Sequence, residues 1–216
     1  MNQPLSSVPS RLGKTTSSKR RPLPAAGFNL FVFDYRGYGK SAGRPDRIGV
    51  YEDSCAALAY LRSRRDIDPT RLLVFGQSLG GAQAIAVVGD GERQGVRAVV
   101  VESSFYSYRS IVRDSIGTMP LLSFFKTPLA HILINDDLSP ADYVGRIAPI
   151  PLLLIHGTED VIIPFRHAEL LLERAKEPKT LWRIAGGSHT SAFIDPDSPY
   201  RRQLVEFFAA ALRQGE

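Results

Sequence analysis

The amino-acid sequence predicts an α/β protein in which a mostly parallel sheet is flanked by helices on both faces. Three observations favour this class. From Gly27 onwards, short apolar runs alternate with stretches of helical periodicity. A chain of 216 residues is long enough for one domain with a large core and short for two. One apolar run ends in Gly76-Gln77-Ser78-Leu79-Gly80, and an alanine-rich helical stretch follows directly.

Five apolar runs are predicted to form strands. The first, residues 28–34, is almost continuous in aromatic and branched side chains, which is typical of a strand buried on both faces. The other predicted strands are residues 71–75, 96–101, 150–155 and 180–184.

Helical periodicity fills the intervals between these runs. The main predicted helices cover residues 49–64, 79–88, 165–176 and 199–212. Residues 105–148 are less regular, with short helices predicted over 106–115 and 121–134 and breaks at Gly117 and Pro120. We therefore expect one domain over residues 27–216, with a short cap-like insertion at about 105–148.

The formal net charge of +5 is concentrated at the N-terminus. Residues 34–216 hold 22 of the 27 basic residues and all 22 acidic residues, so this part is neutral. A neutral domain argues against a nucleic-acid partner, and no apolar run reaches the length of a membrane-spanning helix. The single cysteine, Cys55, fits a reducing compartment, and we expect a cytoplasmic protein.

Residues 1–26 form a basic tail rich in Ser, Thr and Pro. Its composition matches a transit peptide, and an electrostatic tether to an anionic surface is an alternative. It lacks a sustained amphipathic period, which favours a disordered or wrongly started N-terminus.

Ser78 is the candidate nucleophile, because a serine on a sharp turn between strand and helix has an exposed hydroxyl. A serine needs a base and a group that orients the base. His189 fits the base, since it follows the last predicted strand on a loop opened by Gly186 and Gly187. The rival histidines are His131, His156 and His167.

Asp160 fits the orienting acid, because it follows the strand predicted over residues 150–155. Ser78, Asp160 and His189 would then meet over one edge of a parallel sheet. Glu102, after the strand predicted over 96–101, and Glu159 are the alternative acids.

Four ordered motifs carry a family resemblance: FVFDYRGYGKS at 31–41, GQSLGG at 76–81, HGTED at 156–160 and GGSH at 186–189. With them the chain resembles the α/β-hydrolase superfamily, and most closely its serine aminopeptidase-like branch, which includes membrane-anchored esterases. These motifs are specific for the superfamily and much less so for the substrate.

The resemblance implies a serine hydrolase acting on an ester, thioester or amide of a small-molecule or acylated substrate. Ser78 would be the nucleophile, Asp160 the acid and His189 the base. The backbone N–H of Leu79 would donate to the oxyanion. This chemistry implies no cofactor and no metal.

The resemblance also implies strands before residues 28–34 and a His-Gly loop that supplies a second oxyanion donor. Residues 1–26 contain no histidine and no strand-like run. We therefore expect an N-terminally truncated α/β-hydrolase fold. The alternative function is an inactive remnant or binding module that keeps the triad without a competent site.

Overall fold

A computed structural model of the protein describes residues 22–117 and 125–214. Most of the predicted basic tail and the start of the helix predicted over 121–134 lie outside these residues. The described strands are β1 (Leu72–Gln77), β2 (Val96–Glu102), β3 (Leu152–Gly157) and β4 (Lys179–Ile184). The described helices are α1 (Pro22–Ala25), α2 (Arg47–Ser63), α3 (Leu79–Asp90), α4 (Tyr108–Gly117), α5 (Lys126–Leu133), α6 (Pro140–Tyr143), α7 (Arg166–Arg174) and α8 (Pro199–Arg213), with a 3-10 turn at Val144–Arg146.

The four strands form one parallel sheet in the order β1-β2-β3-β4. Successive side chains of a strand point to opposite faces, so each strand contributes to two cores. Val99, Val101, Leu152 and Leu154 belong to one core, and Ala98, Val100, Leu153 and Ile155 to the other. Both sets are buried, which confirms the predicted α/β class with helices on both faces.

Helix α3 begins directly after β1 and lies in the first core. Every residue from Gly81 to Gly89 is buried, as expected for a helix that is apolar on all sides. On the other face, α8 packs through Leu204 and Phe208, and Leu23 of α1 contacts the same core. The short helix α1 lies within the predicted tail.

The strand predicted over residues 28–34 is wrong. This segment joins no ladder in the described part of the chain, and its residues Leu30 and Val32 are 37% and 63% exposed. A cleft of about 140 Å³ lies between Phe31 and Tyr35 on one side and Val74 of β1 on the other. A strand needs a partner backbone about 4.8 Å away, and residues 28–34 pair with no strand among the described residues. Residues 28–34 therefore have the apolar pattern of a strand but do not pair with one.

Residues 105–148 hold α4, α5, α6 and the 3-10 turn. Arg47 at the start of α2 connects this region to the rest of the domain. Its Nη1 donates to the carbonyls of Asn135 at 2.9 Å and Asp137 at 3.1 Å, and its guanidinium lies 3.8 Å from the ring centre of Tyr108. Within residues 22–117 and 125–214, no helix combines the length and apolarity needed to cross a bilayer.

Candidate active site

Ser78 stands at the turn between β1 and α3 in a strained backbone conformation, with φ 52° and ψ −120°. A non-glycine residue at such angles costs on the order of 1–3 kcal/mol and persists only where its surroundings enforce it. Here the Ser78 N–H donates to the carbonyl of Glu102 at 2.9 Å. A Cβ on Gly76 would lie 2.2 Å from the carbonyl oxygen of Gly80, so strand and helix approach too closely for a side chain.

The carboxyl ends of the other strands are tied together in the same way. The Ser103 N–H donates to Ile155 at 2.8 Å, which joins the ends of β2 and β3. The Thr158 N–H donates to Ile184 at 3.0 Å, which joins the ends of β3 and β4. The loops after β1, β2, β3 and β4 therefore start from one continuous edge.

Asp160 lies on the loop after β3, and its side chain is fully buried. Its Oδ1 accepts hydrogen bonds from the backbone of Ile162 at 3.0 Å and Ile163 at 2.9 Å. Its Oδ2 lies 2.8 Å from Nδ1 of His189 and 3.4 Å from Nε2 of His156. The N–H groups of Ile162 and Ile163 and the imidazole of His189 satisfy a carboxylate that would otherwise be costly to bury.

His189 lies on the loop after β4, and its side chain is 18% exposed. This loop contacts the Asp160 loop directly, because the Glu159 N–H donates to Gly187 at 2.9 Å. A Cβ on Gly157 would lie 2.2 Å from the Gly187 oxygen, so the contact requires a glycine. The structure thus joins His189 to Asp160; no hydrogen bond links His189 to the Ser78 hydroxyl among the described residues.

Two of the rival histidines are buried and bond to groups other than Ser78. His156 donates from Nε2 to the Ile163 carbonyl at 2.8 Å, and burial lowers its pKa. His167 accepts from the Tyr106 N–H at 3.0 Å through Nδ1, while its Nε2 lies 2.9 Å from Asp114. Burial and the neighbouring positive charges lower the pKa of His167 to about 4. Both rings hold loops and helices in place.

Glu102, one of the alternative acids, lies at the end of β2 and bonds to Gln77 and Ala192. It is 1% exposed, and burial raises its pKa. Its Oε1 accepts from the Ala192 N–H at 2.9 Å and its Oε2 from Nε2 of Gln77 at 2.6 Å. In the sequence, the one feature that drew attention to Glu102 is its position directly after the strand predicted over residues 96–101. Its partners are distant in sequence and could not be read from the pattern.

Comparison with solved structures identifies the class of fold. The α/β hydrolase GrgF of Penicillium sp. sh18 matches with a TM-score of 0.65 at 19% identity, over 85% of this chain and 80% of that one. The esterase Pf2001 of Pyrococcus furiosus matches with a TM-score of 0.69 at 22% identity, over 88% of this chain and 74% of that one. At these identities the likeness establishes the fold, which is that of the α/β hydrolases.

The sequence places the chain more narrowly. Residues 15–198 match the prolyl oligopeptidase family, and the chain belongs to that family. The protein YfhR of Escherichia coli strain K12 is 44% identical over 191 residues, which cover 88% of this chain. The chain spans 63% of the length of that relative.

Proposed function

We propose that the protein is a serine hydrolase that cleaves a carboxylic ester, thioester or amide through an acyl-enzyme on Ser78. A fold of this kind hosts many activities, so the argument rests on the site. The observation that carries it is the 2.8 Å contact between His189 Nδ1 and Asp160 Oδ2, at the sheet edge where Ser78 also lies.

In this reaction Ser78 Oγ attacks the substrate carbonyl carbon while His189 Nε2 takes the hydroxyl proton. Asp160 accepts from Nδ1–H, which fixes the tautomer that leaves Nε2 basic and stabilises the imidazolium that forms. His189 then gives the proton to the departing alcohol, thiol or amine. A water molecule attacks the acyl-enzyme by the same route in reverse and releases the acid and the free Ser78 hydroxyl.

The negative charge that develops on the carbonyl oxygen needs hydrogen-bond donors. Leu79 is the first residue of α3, and amides in the first turn of a helix have no acceptor within the helix. We assign its N–H as an oxyanion donor, assisted by the positive end of the helix dipole.

Exposed apolar side chains flank the two loops that carry Asp160 and His189. Val161 is 90% exposed, Ile162 is 60% exposed and Ile194 is 70% exposed. Exposed apolar side chains on the loops that carry the candidate site residues favour an apolar ligand. We therefore propose an acylated small-molecule substrate with an apolar acyl group and a reaction that needs no cofactor.

The single cysteine supports a cytoplasmic location.

The test is labelling by a fluorophosphonate, which reacts with an activated serine. We expect the protein to be labelled, Ser78→Ala to be unlabelled, and His189→Ala to be labelled far more slowly. Ser63→Ala, at an exposed serine of α2, is the matched control and should be labelled like the parent protein. A protein that melts cooperatively yet resists the probe would contradict the proposal and favour the non-catalytic binding module.

A further inference from the structure

Glu102 contacts the nucleophile turn and the histidine loop at the same time. Its Oε2 accepts from Gln77, the residue before Ser78, and its carbonyl accepts from the Ser78 N–H at 2.9 Å. Its Oε1 accepts from the backbone of Ala192, three residues after His189. One buried residue at the end of β2 therefore bonds to both sides of the proposed reacting pair.

Ser103 adds a second bond across the same gap. Its Oγ accepts from the Thr190 N–H at 3.0 Å, and its side chain is buried with the residue 1% exposed. Ser78, Ser103 and Thr190 have φ values of 52°, 50° and 51°. These are three strained non-glycine residues, one on each of the loops that this network joins. Strained residues of this kind persist only where surrounding contacts hold them. The Glu102 carbonyl accepts from Ser78, and the Glu102 side chain accepts from Ala192, two residues after Thr190.

We propose that Glu102 is a positioning residue that fixes the separation of Ser78 and His189 by accepting hydrogen bonds from the Ser78 turn and from the His189 loop. This inference rests on the proposed serine hydrolase function. It assigns Glu102 a role through its neighbours, and it leaves the orientation of the imidazole to Asp160.

The chemistry of the site fits a carboxylate in this role. Gln77 and Ala192 approach from two sides with N–H groups, and a carboxylate offers one oxygen to each. A buried carboxylate is costly unless its oxygens are bonded, so these contacts hold the side chain in one place. A glutamine at position 102 keeps one oxygen for Ala192, and rotation of the Gln77 amide presents an oxygen to the new NH₂ group. Glu102→Gln therefore preserves the side-chain connection, whereas Glu102→Ala removes both side-chain bonds and keeps the backbone bond from Ser78.

Steady-state hydrolysis of a p-nitrophenyl ester tests the role. We expect Glu102→Ala to lower kcat by about 100-fold with KM nearly unchanged, the loss typical of a displaced reacting group. We expect Glu102→Gln to recover most of this loss. Asp160→Asn is the comparison, with an expected loss on the order of 10⁴. A Glu102→Gln variant as impaired as Asp160→Asn would make Glu102 the triad acid and overturn the proposal.

Backbone hydrogen exchange provides a readout that needs no turnover. We expect the Thr190 and Ala192 amides to exchange faster in Glu102→Ala than in the parent protein or Glu102→Gln. Unchanged exchange in a folded Glu102→Ala variant would overturn the proposal. If the parent protein resists the fluorophosphonate, the proposed function fails, and the exchange data still decide whether Glu102 holds the loop.

A second variant covers the case in which Glu102→Ala does not fold. Gln77 is exposed, so Gln77→Ala removes one side of the connection and opens no cavity in the core, although it leaves the buried Oε2 of Glu102 without this donor. We expect its kcat to fall by about 10-fold with KM nearly unchanged, a smaller displacement than the loss of both bonds. A Gln77→Ala variant with the kcat of the parent protein would overturn the proposal.

Discussion

The two oxygens of Asp160 serve different partners. Oδ2 lies 2.8 Å from Nδ1 of His189, while Oδ1 accepts the backbone amides of Ile162 and Ile163. One oxygen therefore faces the imidazole and the other holds the loop. A substitution that replaces only Oδ2, which faces the imidazole, separates the two roles.

Asp160→Asn separates the orientation of His189 from the support of the loop. Its carbonyl oxygen can keep the Ile162 and Ile163 bonds, while its NH₂ group faces Nδ1 of His189 and favours the tautomer with a protonated Nε2. We expect ester hydrolysis to fall on the order of 10⁴-fold, with the melting temperature changed little. Glu159→Gln, at an exposed neighbouring carboxylate, is the control and should retain activity. Comparable activity in both variants would argue against Asp160 as the orienting acid.

Gly76 and Gly80 share one motif in the sequence, but their surroundings differ. A Cβ at Gly76 would lie 2.2 Å from a backbone oxygen, whereas a Cβ at Gly80 would have Tyr35 Oη at 3.9 Å as its nearest neighbour. We expect Gly76→Ala to lower the free energy of unfolding by about 2–3 kcal/mol, as for overpacking. Gly80→Ala should be neutral or raise it by about 0.5 kcal/mol, because alanine favours the helix. Urea unfolding of both variants checks this, and equal losses would contradict it.

The four strands of the sheet could be predicted because each is a short apolar run followed by a turn or loop and then a helix. Residues 28–34 have the same local pattern and form no strand. A strand also needs a neighbouring backbone with free N–H and carbonyl groups, and local sequence does not encode where that neighbour lies. The exposed Leu30 and Val32 reflect this missing pairing.

The site could be predicted in part for a related reason. Ser78, Asp160 and His189 follow β1, β3 and β4, and the carboxyl ends of parallel strands share an edge. Their chemical roles stay a prediction. The contacts of Glu102 with Gln77 and Ala192 join residues 25 and 90 positions apart, and no local pattern specifies them.

His167 makes stability depend on pH. Its Nδ1 accepts from Tyr106, so a proton there would face another N–H, and its pKa is lowered to about 4. The unfolded chain takes up this proton near pH 6.5, so stability is complete above about pH 6.5 and falls as the pH drops to about 4. The expected loss from this group is at most about 3 kcal/mol, because the Asp114 carboxylate 2.9 Å from Nε2 favours the protonated ring and offsets part of it.

The His167→Asn variant isolates this effect, because its amide oxygen can accept from Tyr106 and does not titrate. We expect the variant to show a flatter dependence of unfolding free energy on pH between about 6.5 and 4 than the parent protein. Urea unfolding at several pH values provides the measurement. His131→Asn, at an exposed histidine of α5, should keep the slope of the parent protein. Parallel curves for the parent protein and His167→Asn would contradict the expectation.

Asp53 anchors the loop that follows residues 28–34. Its Oδ2 accepts a hydrogen bond from the backbone N–H of Arg36 at 2.8 Å, and its Oδ1 accepts one from Nη2 of the Arg36 guanidinium, also at 2.8 Å. Glu52 also bonds to this guanidinium, at 3.1 Å, but its side chain is 59% exposed against 17% for Asp53. Solvent weakens the exposed pair, while Asp53 additionally satisfies a backbone donor.

We therefore expect Asp53→Ala and Glu52→Ala to differ, although both remove one negative charge beside Arg36. Asp53→Ala should lower the free energy of unfolding by about 1–2 kcal/mol, because a backbone donor and a charge-assisted pair lose their acceptor. Glu52→Ala should change it by at most about 0.5 kcal/mol. Limited proteolysis should cut residues 36–45 faster in Asp53→Ala alone. Equal losses in the two variants would mean that net charge, rather than the geometry of the Asp53 carboxylate, holds this loop against α2.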